Sequence, residues 1–475
     1  MRRTATFALC GALLSGCVSA PTTTPQYTQV APETLGLSAT PAVAISDTWW
    51  TAFGDPKLNA LVEQAQAGNP SLAAALARVR TAQSAVSAAR AETYPQLTFD
   101  AQDQRTYFSK SYIIPPPFAG TTQWYGTIQS NLSWSLDLFG KQQSQIDQLR
   151  ASAHARELDA TAARLLLAGQ VTQAYIALNR AYALIDVAQE TVRQQEGVLK
   201  LTAGRVTAGL ETPASQRQSQ ALAAFARQDL VASRAARDLA VHTIAVLIGR
   251  GADAYDIPRP HLNTKALALP ETLPADLLAR RADVAAAQAR IEAAFAGREV
   301  ARKAFYPDIN LVGAAGWAAI GLSPLFSAAS LQYGAGPAIH LPIFDAGKIR
   351  ADYAGATGDL DAAVADYNGA LTNAVKQTAD ALTQIQSVEG QSREQATALK
   401  SAVDSFDFAT ERYRSGLSPQ LNVLSSEDLV IRARTQSVSL DSDLASARVS
   451  LVMALGGGFV PEPKQEAISN SGIFP

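Results

Sequence analysis

Cysteine is nearly missing from this chain: 475 residues carry two, Cys10 and Cys17, both close to the start. No disulfide framework can therefore hold the body of the chain together. Long apolar runs are missing as well. Past the N-terminus no stretch reaches the roughly 18 consecutive apolar residues that a spanning helix needs. Neither sign of charge is in excess, with 40 basic against 42 acidic residues, which removes the electrostatic case for nucleic acid. Histidine is scarce, and His154, His242, His261 and His340 stand without the spacing of a metal site. The pairs Gly140-Lys141 and Gly347-Lys348 fail as phosphate loops. Ser135 and Pro342 stand where the first glycine is needed, and Gln142 and Ile349 where Ser or Thr is needed. No nucleophile elbow or paired-carboxylate constellation stands out. These absences point away from an enzyme and leave no non-covalent cofactor or metal to expect.

What is present starts with "MRRTATFALCGALLSGC". Arg2 and Arg3 precede a short apolar run from Phe7 to Leu14, the layout of a cleaved signal and too short for a stable anchor. The ending Leu14-Ser15-Gly16-Cys17 resembles the bacterial lipobox. That resemblance implies cleavage after residue 16, a diacylglycerol on the Cys17 thiol and an acyl group on its new amino terminus. With Val18 following, it also implies sorting to the outer membrane. The alternative is a plain secretory signal with an incidental cysteine.

The chain is also written twice. "ARVRTAQSAVSAARAETYPQL" (Ala77 to Leu97) aligns without gaps to "ARIEAAFAGREVARKAFYPDI" (Ala289 to Ile309). Phe139-Gly140-Lys141 pairs with "FDAGK" (Phe344 to Lys348), "GRVTAGLETP" (Gly204 to Pro213) with "ERYRSGLSPQ" (Glu411 to Gln420), and "VLIG" with "MALG". A period this long is a tandem duplication, not a solenoid. Each copy reads helix, Tyr-Pro, two strand-like runs, Gly-Lys, very long helix, Gly-Leu turn, helix. Lys141 to Thr212 and Asp345 to Ser418 contain no proline. Val171, Leu178, Ile185, Val192 and Leu199 recur every seven residues, and Leu360, Val364, Tyr367, Leu371, Ala374, Thr378, Ala381 and Ile385 alternate steps of four and three. Both are coiled-coil seams, and about 60 residues at 1.5 Å each predict a helix of roughly 90 Å.

The strand-like runs have period two. In "TIQSNLSWSLDLF", Ile128, Leu132, Trp134, Leu136 and Leu138 alternate with polar residues, as Leu97, Phe99 and Ala101 do in "QLTFDAQ". Such runs fit the wall of a membrane β-barrel and fit a half-buried soluble sheet equally well; the lipobox tilts the balance toward membrane. Four strands cannot close a membrane barrel alone, and an open edge cannot stand in lipid. Two, three or four chains would supply eight, twelve or sixteen strands, and the count itself does not choose. "SYIIPPPFAGTTQW" and "AIGLSPLFSAAS" read as loops joining the strand pairs.

The duplicated unit, the lipobox, the early "WWTAFGDPKLNALVEQAQAGNPSL" and the late "ALGGG" together resemble the TolC-like outer-membrane efflux proteins, lipoprotein (NodT-type) subgroup. The resemblance implies a mainly α fold with a small β part. Four strands per chain would enter a shared 12-stranded barrel in a homotrimer, continued by an α-helical coiled-coil tunnel. It implies a lipid-anchored position in the outer membrane, a periplasmic adaptor protein, an inner-membrane pump of the resistance-nodulation-division class, and passive conduction of drugs or toxic compounds. Alternatives are a duct for secreted proteins or peptides, or a periplasmic coiled-coil lipoprotein without a barrel. The expected layout is a signal over 1–16 and an N-terminal segment over 17–68. A first repeat follows over 69–250 (strand pair 95–139, helical hairpin 141–249), then a linker and equatorial segment over 251–280. A second repeat covers 281–457 (strand pair 307–344, hairpin 345–456), and a tail covers 458–475.

By the same resemblance the twin turns are periplasmic hairpin tips. Arg205, Gly209, Leu210, Arg412, Ser415, Gly416 and Leu417 are the adaptor-docking candidates. The gate candidates are Tyr413, Leu421, Asn422, Ser425 and Arg412. Asn422 and Ser425 replace acidic residues common in the family, so the expected seal is Leu421 with hydrogen bonds from Tyr413, Asn422 and Arg412. Glu427 and Asp428 are expected to rotate off the face that lines the tunnel.

Overall fold

Two heptad-patterned segments of equal length fix the architecture. The computed structural model describes residues 23–30, 34, 45–111, 113–251, 257–263 and 280–460. The signal-like segment with Cys17, and most of the tail, lie outside the described residues. The elements in order are α1 (Pro56–Gly68), α2 (Pro70–Ala91), β1 (Gln96–Tyr107), β2 (Thr122–Ser135), α3 (Lys141–Thr207) and α4 (Pro213–Leu247). The second copy supplies α5 (Ala282–Lys303), β3 (Asp308–Ile320), β4 (Leu331–His340), α6 (Lys348–Arg414) and α7 (Gln420–Ala454). The helices α3 and α6 are each 67 residues long, and α4 and α7 each 35. Corresponding ends of these four helices, 141 and 348, 207 and 414, 213 and 420, 247 and 454, all differ by 207. The duplication seen as sequence is a duplication of structure.

The residues fall into two compact units. The first comprises Met1–Gln29, Arg78–Arg156 and Ala287–Tyr367 and holds one antiparallel sheet in the order β1-β2-β3-β4. Its register puts Leu97 opposite Leu132, Leu132 opposite Gly313 and Gly313 opposite Ala335. Side chains alternate across a strand, so one face collects Leu97, Phe99, Ile128, Trp317 and Tyr333. The other collects Gln96, Asp100, Gln129, Asn131 and Gln332. The polar face is stitched by its own side chains: Asn131 Nδ2 donates to Asp100 at 2.7 Å, and Gln129 Nε2 to Asn131 at 3.2 Å. The apolar face has no cover over most of its area: Leu97 is 72% exposed, Phe99 69% and Tyr333 82%. A half-buried soluble sheet would bury that face, so the periodicity that left two readings open is resolved against a soluble core. A coiled-coil scaffold without strands is excluded by the same sheet.

The dipeptides repeated in the two copies do local work here. At the Tyr306-Pro307 end of α5, Tyr306 stacks on Phe139 with ring centroids 5.1 Å apart. The Gly-Lys pairs are strand-to-helix turns. Gly140 (φ 71°) and Gly347 (φ 89°) take the left-handed conformation that costs glycine nothing. The Asp137 carboxylate accepts the Gln142 and Gln143 N–H groups, and Asp345 those of Gly347 and Ile349. Each aspartate satisfies helix-start donors that have no intrahelical partner.

The second unit comprises Val30–Ala77, Glu157–Ala286 and Asn368–Pro475 and is helical. Val171, Leu178, Ile185, Ala174, Ala181 and Ala188 are buried, as are Leu371, Ala374, Thr378, Ala381 and Ile385, so the seams face inward as their spacing predicts. The main core gathers Trp49, Trp50, Phe53 and α1 with Val171, Tyr175 and Leu178 of α3, Ile244 of α4 and Val449 of α7. Asp55 is buried within it and accepts hydrogen bonds from Tyr175 Oη at 2.8 Å and from the His261 and Lys57 N–H groups at 2.9 Å. Burial alone would raise its pKa, but these donors hold the carboxyl below its usual value. Within the segment expected to belt the helices, Ile257 is buried and Arg259 pairs with Asp186. Among the described residues no helix is long and apolar enough to cross a membrane.

Candidate functional site

Both hairpin turns end their long helix with the same chemistry. Gly209 (φ 73°) and Gly416 (φ 75°) are left-handed. Leu210 N–H donates to Arg205 O at 2.9 Å, and Leu417 N–H to Arg412 O at 2.8 Å. This closes the helix as a Schellman motif. The proline-free runs continue to Thr212 and Ser418, but the helices stop at Thr207 and Arg414, because a left-handed residue cannot extend a right-handed helix. Thr212 then caps α4, its side chain accepting the Ser215 N–H, whereas Pro419 starts α7 without a side-chain cap. The tip residues Leu210 and Leu417 are 65% and 68% exposed, and Arg412, Ser415 and Gly416 are exposed beside them. Next to the first tip, Gly197 and Gly204 open a groove of about 440 Å³ lined also by Leu201, Ala208 and Leu210.

The two tips are bolted together asymmetrically. Tyr413 is 1% exposed and packs with Val198 and Val423. The Arg205 guanidinium lies 4.7 Å from its ring centroid, a cation–π geometry, and Arg205 also reaches Tyr413 O at 3.4 Å and Glu211 at 3.9 Å. The Tyr413 hydroxyl makes a long contact of 3.4 Å to Glu211. Burial pushes its pKa above the ordinary phenol value. One turn on, buried Gln420 donates from Nε2 to Ser219 Oγ at 2.6 Å and to Thr202 Oγ1 at 3.0 Å.

The expected hydrogen-bonding partners differ from these. Arg412 and Asn422 are exposed and do not join Tyr413; its partners are Arg205 and Glu211 of the other hairpin. Leu421 is 66% exposed, and Ser425 Oγ donates back to Asn422 O at 3.1 Å. Asp428 is exposed, as are Leu421 and Ser425, because steps of seven and three on a helix rotate a side chain little. It is paired with Arg432. Glu427 does leave the exposed face, and it goes into the protein: it is fully buried. Gln420, Thr202, Ser219 and Glu427 were not legible as site residues. One signal was available at three of these positions, where the other copy carries a different residue: Pro213 for Gln420, Ala409 for Thr202 and Gln220 for Glu427, whereas Ser219 is matched by Ser426.

Comparison with known proteins fits this geometry. The family model described as "Outer membrane efflux protein" matches residues 61–250 and 273–457, once over each copy. The fusaric acid resistance protein FusA of Burkholderia cepacia is 35% identical over 361 residues, 73% of this chain and 68% of that protein. The putative multidrug resistance outer membrane protein MdtQ of Escherichia coli K12 is 28% identical over 459 residues, 94% of this chain and 96% of that protein. Among solved structures, the outer membrane protein VceC of Vibrio cholerae superposes with a TM-score of 0.81 at 31% identity, covering 88% of this chain and 100% of that chain. The outer-membrane channel OprN superposes with a TM-score of 0.79 at 25% identity, covering 93% and 99%.

Proposed function

Because this chain belongs to the outer membrane efflux protein family, we propose that three copies close into one duct, each lending four strands to a 12-stranded barrel and four helices to a tunnel. The chain is a non-enzymatic outer-membrane channel of the efflux-pump type and has the TolC-like fold. The number three follows from the likeness to TolC-like channels, and the observation that carries closure by several copies is the uncovered sheet. Its apolar face is exposed and its two edge strands, β1 and β4, each have an unpaired side. Lipid against the apolar face and a neighbouring chain against each edge satisfy both demands at once. The polar Gln and Asn face then lines water. A second support is the stripe Phe225, Leu239 and Val246 of α4, spaced by multiples of seven and at least 60% exposed, a seam that a second copy would cover.

In this reading the tips lie in the periplasm. Arg205, Gly209, Leu210, Arg412, Ser415, Gly416 and Leu417 meet an adaptor protein that links the duct to an inner-membrane resistance-nodulation-division pump. Tyr413 ties the gate shut through Arg205. Leu421, Asn422 and Ser425 present the exposed face of α7 to the tunnel. Cys17 carries the diacylglycerol and N-acyl anchor. The cargo is small organic molecules, in keeping with relatives named for multidrug and fusaric acid resistance. Disulfide scanning tests the closure: single cysteines along β1 combined with single cysteines along β4 should give a covalent trimer in at least one register. A set that gives only monomer, in membranes where the protein is inserted, overturns it.

A further inference from the structure

Among the described residues near the tips, Glu427 is the one carboxylate that is fully buried, and both of its oxygens lack a hydrogen-bond partner. An unpartnered buried carboxylate is expensive, and the usual resolution is that the group stays neutral. Its surroundings follow from the helix register. Between α3 and α7, Thr202 meets Gln420, Val198 packs with Val423, Arg180 meets Ser439, and Gln173 meets Ser450. This antiparallel register sets Glu427 at the level of Gln194 and Gln195. Gln195 is itself buried, and the side-chain carbonyl oxygens of both glutamines are also without a donor. On α4 the same level is Ala226, seven residues past Ser219. On α6 it is the stretch from Ala402 to Ser405, because Ala402 packs with Val430 and Ser405 Oγ lies 3.4 Å from Ser426 Oγ. The layer is thus rich in acceptors that lack a donor.

The charges at this level are engaged elsewhere or exposed. Glu196 of α3 is bound by Arg227 of α4, Glu190 by Arg193 and Asp428 by Arg432, while Asp404 of α6 is exposed. None of them bears on Glu427, whose carboxyl is pushed up to about 7 by burial alone.

We propose that Glu427 is a proton latch: protonated, it lets α7 pack on α3, and its deprotonation releases α7 so that the gate opens more readily as pH rises. The proton passes to water, and the carboxylate left behind gains solvation only by moving out of the layer. The role as a gate rests on the duct reading above; the packing itself does not.

The test is hydrogen–deuterium exchange over residues 420–433 of the purified full-length protein, corrected for the intrinsic effect of pH on exchange. Single-channel recording on the same preparation is run beside it. With the packed-state carboxyl near 7 and the free one near 4.5, opening should increase about tenfold from pH 6 to pH 8. Glu427→Gln keeps the shape without the charge and should hold the acid level at both pH values. Glu427→Leu, which removes the acceptors, should do the same. If wild type and Glu427→Gln show equal pH dependence of exchange, the latch is overturned whether or not channels are seen. If exchange follows the latch but no conductance is found, the latch stands and the duct reading fails.

Discussion

Gln420→Ala is the sharpest perturbation of the tip. Gln420 is buried and donates to Ser219 and Thr202 at 2.6 and 3.0 Å, so one side chain hydrogen-bonds α7 to both helices of the first hairpin. Two neutral hydrogen bonds contribute about 1 kcal/mol each, or about 2 kcal/mol together. The Ser219 hydroxyl still donates to Ser215 O at 3.2 Å, so that hydroxyl is not orphaned in the variant. A loss of about 2 kcal/mol shifts the balance between packed and released tips roughly 30-fold. Tyr413→Phe should do much less, because its hydroxyl contact is long at 3.4 Å while the ring still lies under Arg205 at 4.7 Å. Hydrogen exchange over residues 413–424, read with the open-channel lifetime in a planar bilayer, measures both variants. Unchanged protection in Gln420→Ala, or a larger effect in Tyr413→Phe, would refute the reasoning.

Asp55 is held below its ordinary pKa of 3.8 in the fold. Its contribution is therefore present above that value and is lost as pH falls through the folded-state value. Thermal melts should show a Tm that drops in acid, and Asp55→Asn should lose both that dependence and about 2 kcal/mol. Gly416→Ala has open space around it but a left-handed backbone, costing about 1 kcal/mol. Gly249→Ala would place a methyl 2.0 Å from Gly68 O and should lower Tm far more. Phe99→Arg on the lipid-facing side of β1 should cost roughly 2–4 kcal/mol near the midplane and deplete trimer from the outer-membrane fraction, where Gln129→Arg on the polar face should not. Divalent cations should block the wild-type duct weakly, because Arg432 neutralises Asp428 on the exposed face of α7. Arg432→Ala should strengthen the block, and micromolar block of the wild type would contradict the assignment.

The helical frame was legible because its signals are local. A proline-free heptad run, a glycine at each turn and a duplicated order of motifs are all carried by neighbouring residues, and Val171, Leu178 and Leu371 are buried where their spacing puts them. The strands were legible as alternation, but alternation cannot say whether Leu97 and Phe99 are buried in a core of their own chain; their exposure shows that they are not. The tip was legible only in part. Arg205 and Arg412 occupy equivalent positions in the two copies, yet Arg205 covers Tyr413 while Arg412 points to solvent. Gln420 finds Thr202 and Ser219 more than 200 residues away, a pairing that no local pattern encodes. Glu427 reads as a surface glutamate on a polar stretch, and its burial follows only from the register of four helices.

Electron cryo-microscopy of the processed, detergent-extracted protein tests the central claim most directly. The account predicts a three-fold particle with a closed 12-stranded barrel in which β1 of one chain pairs with β4 of the next, and a helical shaft on the order of 100 Å, set by the 67-residue helices α3 and α6. Particles without a closed barrel, or a barrel of eight or sixteen strands, would contradict it.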